Sequence, residues 1–202
     1  MARIAVSRPL ARTSVTPSQV TAVRLSVGLS AAGCFAVGAD PWWAYGAVAF
    51  IVSMVLDRGD GDLARMTGQT SAWGHKFDLW ADSICNAAAF VGLGIGLRAG
   101  DNGLMAIPLG VLAGVSVTAI LAMVMRAESL AGERTGELQS FYGFDADDAI
   151  LSVPILILLG VQEGLLIAAA VGAPLFACGY FIWLRGKLKR VAAQQGGEEP
   201  NP

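Results

Sequence analysis

Aspartates are concentrated in one 26-residue stretch of the sequence, DRGDGDLARMTGQTSAWGHKFDLWAD, which covers residues 57–82. Asp57 and Asp60 are three residues apart, Asp78 and Asp82 are four apart, and on a helix each pair shares one face. Two such helices facing each other would gather four carboxylates into a cluster that repels itself unless cations fill it. Carboxylate oxygens suit Mg²⁺ or Mn²⁺ rather than Zn²⁺. The spacing therefore predicts a site for two metal ions, an arrangement that can clamp a phosphoryl group during displacement.

The residues between the two acidic pairs suit a diphosphate ligand. Gly61 allows a phosphate or nucleotide to approach the backbone closely. Arg65 follows four residues later, and its planar guanidinium matches a diphosphate in a bidentate contact. Ala64 leaves that approach uncrowded, and Gly74 opens the way into the second acidic helix. We expect a diphosphate site beside the metals.

The composition places these acids in a membrane protein. Of the 202 residues, 54% are hydrophobic and only 15% are charged, against about 25% charged in soluble domains, and the mean hydropathy is +0.57. A net charge of −2 without a basic motif excludes a nucleic-acid partner. We predict an all-α integral membrane protein with six transmembrane helices. The predicted spans are Pro17–Val37, Pro41–Leu56, Trp80–Leu97, Leu104–Met125, Ala149–Val161 and Gly164–Leu184.

Basic residues favour six spans over five. The alternative treats the run from Ala149 to Leu184 as one helix plus an interfacial segment. With six spans and a cytoplasmic N-terminus, every one of the 14 lysines and arginines except Arg98 lies at or inside the inner boundary. Both termini and the acids are then cytoplasmic. Residues 1–190 are expected to form one catalytic domain and 191–202 a polar tail. Ala2–Arg12 is either an amphipathic juxtamembrane segment or a disordered tail.

The complete pattern resembles the signature of CDP-alcohol phosphotransferases. In this sequence it reads Asp57-x2-Asp60-Gly61-x2-Ala64-Arg65-x8-Gly74-x3-Asp78-x3-Asp82, with every fixed position filled. The stretch from Thr16 to Arg24 also looks like the start of the family's first span. The signature covers 26 residues, and the chain length and six-span layout extend the likeness over most of the chain.

The resemblance implies an activity and residue roles. Such enzymes displace CMP from a CDP-linked donor, usually CDP-diacylglycerol, with an acceptor hydroxyl. The resemblance makes the four aspartates of the signature the ligands of two Mg²⁺ or Mn²⁺ ions, and Asp82 also the base that takes the acceptor's proton. Gly61, Arg65 and Ser71 would bind the donor. Asp62 and His75 fall at variable positions and receive no role. A homodimer in the lipid bilayer is also implied.

The acceptor alcohol is less well specified by the sequence. A phosphorylated acceptor should require extra basic residues, yet the last three spans and their inner loop contain only Arg126 and Arg134 against six acids. This balance favours a non-phosphorylated alcohol. The acidic run Phe144–Asp148, which includes Asp145, Asp147 and Asp148, either caps a helix or attracts a cationic or neutral acceptor. The reverse arrangement, a CDP-linked polar head group transferred to a lipid alcohol, stays open.

Three other classes compete with this interpretation. Membrane prenyltransferases also bind Mg²⁺ with aspartates, but they do not need this glycine and arginine spacing. A divalent-cation transporter should carry its acids near mid-membrane, and it would release no CMP from a CDP-alcohol. A purely structural role, with the acids capping helices and pairing with Arg58, Arg65 and Lys76, requires neither the glycines nor the spacing.

Overall fold

The computed structural model describes residue 13 and residues 15–131 and 146–195, and within these ranges all regular structure is helical. The predicted juxtamembrane segment Ala2–Arg12 and Asp145 lie outside the described residues. Two short 3₁₀ turns, Leu97–Ala99 and Gly103–Met105, connect the third and fourth helices. The six α-helices are α1 Pro17–Val37, α2 Trp42–Thr67, α3 Ala72–Gly96, α4 Ala106–Ala131, α5 Ala146–Leu158 and α6 Gln162–Gln195.

Local capping explains where the first helix begins and ends. The Thr16 hydroxyl accepts a hydrogen bond from the Gln19 backbone N–H, and the Gln19 side chain accepts one from the Thr16 N–H. This reciprocal pair satisfies two N–H groups that a helix start leaves free. Gly38 ends α1 in the left-handed conformation, with φ of 74°, which glycine adopts without steric cost.

The acidic stretch is more helical than the predicted spans imply. α2 continues through the first acidic pair to Thr67 and ends at Gly68, which has φ of 68°. α3 begins at Ala72, eight residues before its predicted span, because the Ser71 hydroxyl caps it by accepting from the Gly74 N–H at 2.9 Å. Helix formation depends on backbone bonding and caps, so it continues past the apolar part of each span. Both aspartate pairs consequently lie on helices, as predicted.

The helices alternate in direction and pack as a closed ring. α1 packs against both α2 and α3, α4 packs against α3, α6 against α4, and α5 against α2 and α6. α5 and α6 are separate helices joined by a tight turn at residues 159–161, where Gly160 has φ of 75°. This turn agrees with the hairpin interpretation. α6 also continues beyond the predicted boundary at Leu184 to Gln195.

Four helices of the described chain are long and apolar enough to cross a membrane. They are Pro17–Val37, Ala72–Ala99, Gly103–Met123 and Gln162–Gly186. α2 does not meet this criterion because its apolar half is followed by charged residues, and α5 is only 13 residues long. The fold is therefore an all-helical bundle with four candidate spans among six helices.

The burial pattern suits a bundle surrounded by lipid. Phe35 is fully buried, and its ring lies 6.3 Å from Trp43 and 6.4 Å from Phe50 between centroids. Large apolar side chains such as Leu175 and Ile182 point outward and are more than two-thirds exposed. A soluble monomer rarely exposes so many large apolar side chains, so the outer face of the bundle is matched to hydrocarbon.

Glycine allows α1 and α3 to approach closely. A Cβ atom on Gly92 of α3 would overlap the backbone carbonyl of Ala32 in α1. Because the obstructing atom is backbone rather than a flexible side chain, only separation of the two helices would make room. Small residues at such crossings let helices pack tightly in a bilayer, where van der Waals contact and hydrogen bonding drive association.

We expect Gly92→Ala to destabilise the protein by about 1–3 kcal/mol, because overpacking forces backbone shifts. Gly33→Ala is the matched control, since a Cβ there meets no other atom within 4 Å. That change should be neutral or stabilising, by up to about 1 kcal/mol, through helix propensity. Thermal unfolding of both variants in detergent provides the measurement. Equal effects of the two substitutions would contradict the close packing of α1 and α3.

Candidate active site

Three carboxylates from α2 and α3 form a compact cluster. One oxygen each of Asp57, Asp60 and Asp78 lies within 4.8 Å of the other two. Asp60 is almost fully buried, and Asp57 and Asp78 are partly exposed. The 3-residue spacing in α2 and the close approach of α3 together produce this geometry. The structure therefore brings together three of the four predicted metal ligands directly.

Asp82 joins the cluster through an arginine of α1. The Nη1 atom of Arg24 lies 2.6 Å from Oδ1 of Asp57 and donates to Oδ1 of Asp82, also at 2.6 Å. Its Nη2 atom donates to Oδ1 of Asp78 at 3.0 Å and to the Asp78 carbonyl at 2.9 Å. One guanidinium thus binds acids from two different helices and fixes their relative positions.

The Arg24 side chain is only 2% exposed. Burial of an arginine is costly unless acids and hydrogen bonds compensate it. Its Nε atom, in contrast to the two Nη atoms, is buried without a hydrogen-bond partner in the described part of the chain. The ion pairs with the aspartates therefore carry nearly all of the compensation for this buried cation.

Thr21 binds Asp60, the one aspartate of the signature that Arg24 does not contact. Its hydroxyl lies 2.6 Å from Oδ2 of Asp60, in a buried hydrogen bond. Thr21 and Arg24 are three residues apart in α1, so they face the same side of the helix. α1 thus presents one polar face to the acids of both neighbouring helices.

The sequence pattern assigns no role to Thr21 or Arg24. Both lie in the stretch that looks like the start of the family's first span, and Arg24 counts there only as one of the basic residues. A signal was nevertheless present: Arg24 lies two turns inside an apolar helix, and a charged residue there marks a functional site by default. The partners of Arg24 could be identified only from the structure, because they are 33 or more residues away in sequence.

Of the predicted donor-binding residues, Gly61 directly follows Asp60 in α2, whereas Arg65 and Ser71 make local contacts. In the described chain, Arg65 pairs with Asp62 at 2.6 Å and stays 69% exposed, while Ser71 caps α3. A Cβ on Gly61 would meet only the two Nη atoms of Arg65, at 3.6 and 3.9 Å. No packing therefore requires glycine at this position, although glycine inside a helix costs about 0.5–1 kcal/mol relative to alanine.

The cluster has the chemistry of a site for a hard divalent cation. Mg²⁺ binds oxygen ligands at about 2.1 Å, so ligand atoms around one ion lie within about 4.2 Å of each other. The three carboxylates approach this range, since one oxygen of each lies within 4.8 Å of the other two. All donors in the cluster are oxygens, and the described residues contribute no histidine or cysteine to it. Asp57, Asp60 and Asp78 therefore fit such an ion.

The charge of the site also favours a bound divalent cation. Two carboxylates 4.8 Å apart repel by about 3–4 kcal/mol at an effective dielectric constant near 20. Four aspartates and one arginine leave a formal charge of −3 at the site, because Arg24 is the only basic residue paired with them in the described chain. Arg24 therefore compensates the cluster only in part, and a divalent cation would relieve the remainder.

A helical membrane bundle with an acidic site for cations is typical of a class of membrane enzymes. Comparisons with known proteins identify the family of this chain. The fold resembles the crystal structure of Mycobacterium tuberculosis phosphatidylinositol phosphate synthase (PgsA1) in complex with manganese and citrate. The TM-score is 0.70 at 21% identity, covering 90% of this chain and 88% of that one. The same enzyme with CDP-DAG bound gives 0.69 at 20% identity, covering 88% and 90%. At this identity the likeness establishes the fold. A search of curated protein sequences found no match.

The profile of the CDP-alcohol phosphatidyltransferase family matches residues 14–184, most of the chain. The protein therefore belongs to this family of phospholipid-synthesising transferases, which confirms the resemblance drawn from the aspartate signature. The match includes α1, α2 and α3 with all four aspartates of the signature.

We expect Arg24→Gln to destabilise the protein by about 3–5 kcal/mol in excess chelator, because it leaves buried carboxylates without their counter-charge. Arg65→Gln is the control, since it removes an exposed pair with Asp62, whose contribution should be below about 1 kcal/mol. Thermal unfolding in detergent measures both. Comparable losses in the two variants would show that Arg24 does not hold the cluster together.

Mn²⁺ should stabilise the wild-type protein, because an ion that binds only the folded state adds about 2.7 kcal/mol at 100 times its dissociation constant. Asp60→Asn should remove most of this gain, whereas Asp101→Asn, in the loop at the opposite end of the bundle, should keep it. The unfolding temperature is followed during titration with MnCl₂ and reversed with chelator. An unchanged wild-type unfolding temperature would contradict the metal site.

Proposed function

We propose that the protein transfers the phosphatidyl group of CDP-diacylglycerol to the hydroxyl of a small, non-phosphorylated alcohol and releases CMP. The observation that carries this proposal is the arrangement of carboxylates: Asp57, Asp60 and Asp78 form one group, and Asp82 stands beside it, held by Arg24. Family membership supports the reaction class. The CDP-DAG-bound relative of similar fold supports the choice of donor.

We assign roles to the residues from this arrangement of three grouped aspartates with Asp82 beside them. Asp57, Asp60, Asp78 and Asp82 would hold two Mg²⁺ or Mn²⁺ ions, as the relative with bound manganese also suggests. When bound, such ions supply charge stabilisation for a diphosphate and its leaving group. Gly61 leaves room for the diphosphate. Arg65 would exchange its exposed pair with Asp62 for a bidentate contact to the diphosphate. Ser71 would contact the nucleotide from the start of α3.

The protein's own part in the chemistry is positioning and proton transfer. Asp82 accepts the proton of the acceptor hydroxyl as its oxygen forms a bond to the lipid-side phosphorus of the donor. The bond between this phosphorus and the bridging diphosphate oxygen breaks, and that oxygen leaves with CMP. Arg24 fixes the orientation of the Asp82 carboxylate by donating to one of its oxygens, which leaves the other to face the hydroxyl.

The membrane arrangement is part of the same proposal. α2 and α5 complete six spans with the four helices that meet the span criterion, and both termini and the site face the cytoplasm. The basic residues support this orientation, since all but Arg98 then lie on the inner side. We also propose a homodimer, which rests on the family resemblance. Residues 1–190 form the catalytic domain, and 191–202 serve as a tail.

We expect Asp82→Asn to reduce CMP release at least 100-fold while donor binding persists, because the amide keeps the shape of the side chain but cannot accept the proton. Purified protein with labelled CDP-diacylglycerol, Mn²⁺ and a panel of alcohols gives CMP and lipid product. Donor binding is followed by the shift of the unfolding temperature. Asp101→Asn serves again as control, and full turnover by Asp82→Asn would exclude this residue as the base.

A further inference from the structure

The acids of the site form two overlapping sets of three. In the first set, Asp57, Asp60 and Asp78 each place one oxygen within 4.8 Å of the other two. The second set consists of Asp57, Asp78 and Asp82, which are the three acids that pair with Arg24. The sets share two acids and differ only in the third. They therefore define two neighbouring positions for positive charge, as in sites that hold two metal ions about 4 Å apart.

The guanidinium of Arg24 lies at the second of these positions. Its Nη1 atom is 2.6 Å from one oxygen of Asp57 and 2.6 Å from one oxygen of Asp82, so these oxygens are no farther apart than twice that distance. Its Nη2 atom is 3.0 Å from Asp78. Oxygens around one Mg²⁺ ion lie up to about 4.2 Å apart. A positively charged group thus bridges the second set of acids much as a metal ion would.

The two positions differ in how strongly Arg24 opposes a metal ion. An arginine side chain stays protonated in proteins, and this one is 2% exposed and held by acids from α2 and α3. A divalent ion in the second set would have to displace the guanidinium from all three acids. In the first set, Asp60 makes none of the ion pairs of the described chain and is bound by Thr21 instead. The first position is therefore the more accessible one.

The charge of the site also limits how many divalent ions bind. The four aspartates and Arg24 have a formal charge of −3, which one divalent ion reduces to −1. A second ion would make the site positive, so repulsion between the cations opposes it. The diphosphate of the proposed donor adds negative charge and offsets this excess. Binding of a second ion is thus favourable only when the donor binds as well.

The hydrogen bonding of Arg24 is also incomplete. Its two Nη atoms make all of its contacts with the acids, and Nε is buried without a hydrogen-bond partner in the part of the chain that the structure describes. A buried donor without an acceptor is unfavourable, and an anionic oxygen nearby would satisfy it. The oxygens of a diphosphate are such acceptors. Arg24 would therefore gain a partner from the donor when it gives up carboxylates.

We propose that Arg24 takes the place of a second metal ion in the donor-free protein. Asp57, Asp60 and Asp78 bind one divalent cation, while Arg24 withholds Asp82 from a second cation until the CDP-linked donor binds. The donor-dependent step rests on the proposed function, whereas the binding of a single ion does not. Arg24 is thus a positioning residue that makes full metal loading depend on the donor.

The test counts Mn²⁺ ions per chain in protein that was purified in detergent and freed of metal with chelator. Equilibrium dialysis gives the number bound, and electron paramagnetic resonance distinguishes an isolated ion from a coupled pair about 4 Å apart. We expect one isolated ion in the wild type. Arg24→Gln should bind two coupled ions, the second at least 10-fold more tightly than wild type. Arg98→Gln is the matched control, since Arg98 contacts only backbone carbonyls at the opposite end of the bundle, and it should bind one.

A second experiment adds CDP-diacylglycerol to the detergent solution without an acceptor alcohol. Wild type should then bind two coupled ions per chain. Asp82→Asn, which lacks the carboxylate that distinguishes the second set, should keep a single ion under the same conditions. Because both proteins receive the same donor, this comparison also accounts for Mn²⁺ that the diphosphate carries by itself.

The wild-type counts decide the inference even if Arg24→Gln does not fold. Two ions in donor-free wild type would overturn it, and so would one ion in both wild type and Arg24→Gln. One ion in wild type with donor would overturn the donor-dependent step. If no protein binds Mn²⁺, the metal site itself is wrong. If the counts are as expected but wild type releases no CMP with any alcohol, the proposed function fails and the role of Arg24 in metal binding stands.

Discussion

The structure depends on the compensation of negative charge inside a helical bundle where buried acids have little access to water. Four aspartates converge near the ends of α2 and α3, and a single buried guanidinium from α1 contacts three of them. The fourth is hydrogen-bonded by Thr21 of the same helix. Burying a charge costs most where the dielectric constant is low. The acids therefore need α1 between α2 and α3 to supply Arg24 and Thr21, in addition to its apolar packing.

This arrangement also explains why the four aspartates are not equivalent. Asp57, Asp60 and Asp78 present oxygens to one another, whereas Asp82 lies one turn further along α3 and is held beside them by Arg24. The four-residue step from Asp78 to Asp82 therefore gives Asp82 surroundings that differ from those of the other three acids. Arg24 contacts both, so changes at one acid should propagate to the others and combine non-additively.

Much of this architecture could be predicted from the sequence, for identifiable reasons. Aspartates at 3- and 4-residue spacing indicate shared helix faces, and long apolar runs indicate helices that need lipid. Helix limits were less accurate, because caps such as Ser71 and left-handed glycines such as Gly68 act on the backbone independently of hydropathy. The contacts of Arg24 depend on which helices become neighbours, and no local pattern contains that information.

The two ends of the bundle are built differently. At the end away from the aspartates, consecutive helices are joined by short connections, and Glu163 at the start of α6 accepts a hydrogen bond from the Asp101 N–H in the loop between α3 and α4. At the aspartate end, α2, α4 and α6 run on as long helices to Thr67, Ala131 and Gln195. The bundle is thus fastened at its base by the Glu163 contact, and the proposed lipid-linked donor would reach the carboxylates between the projecting helix ends.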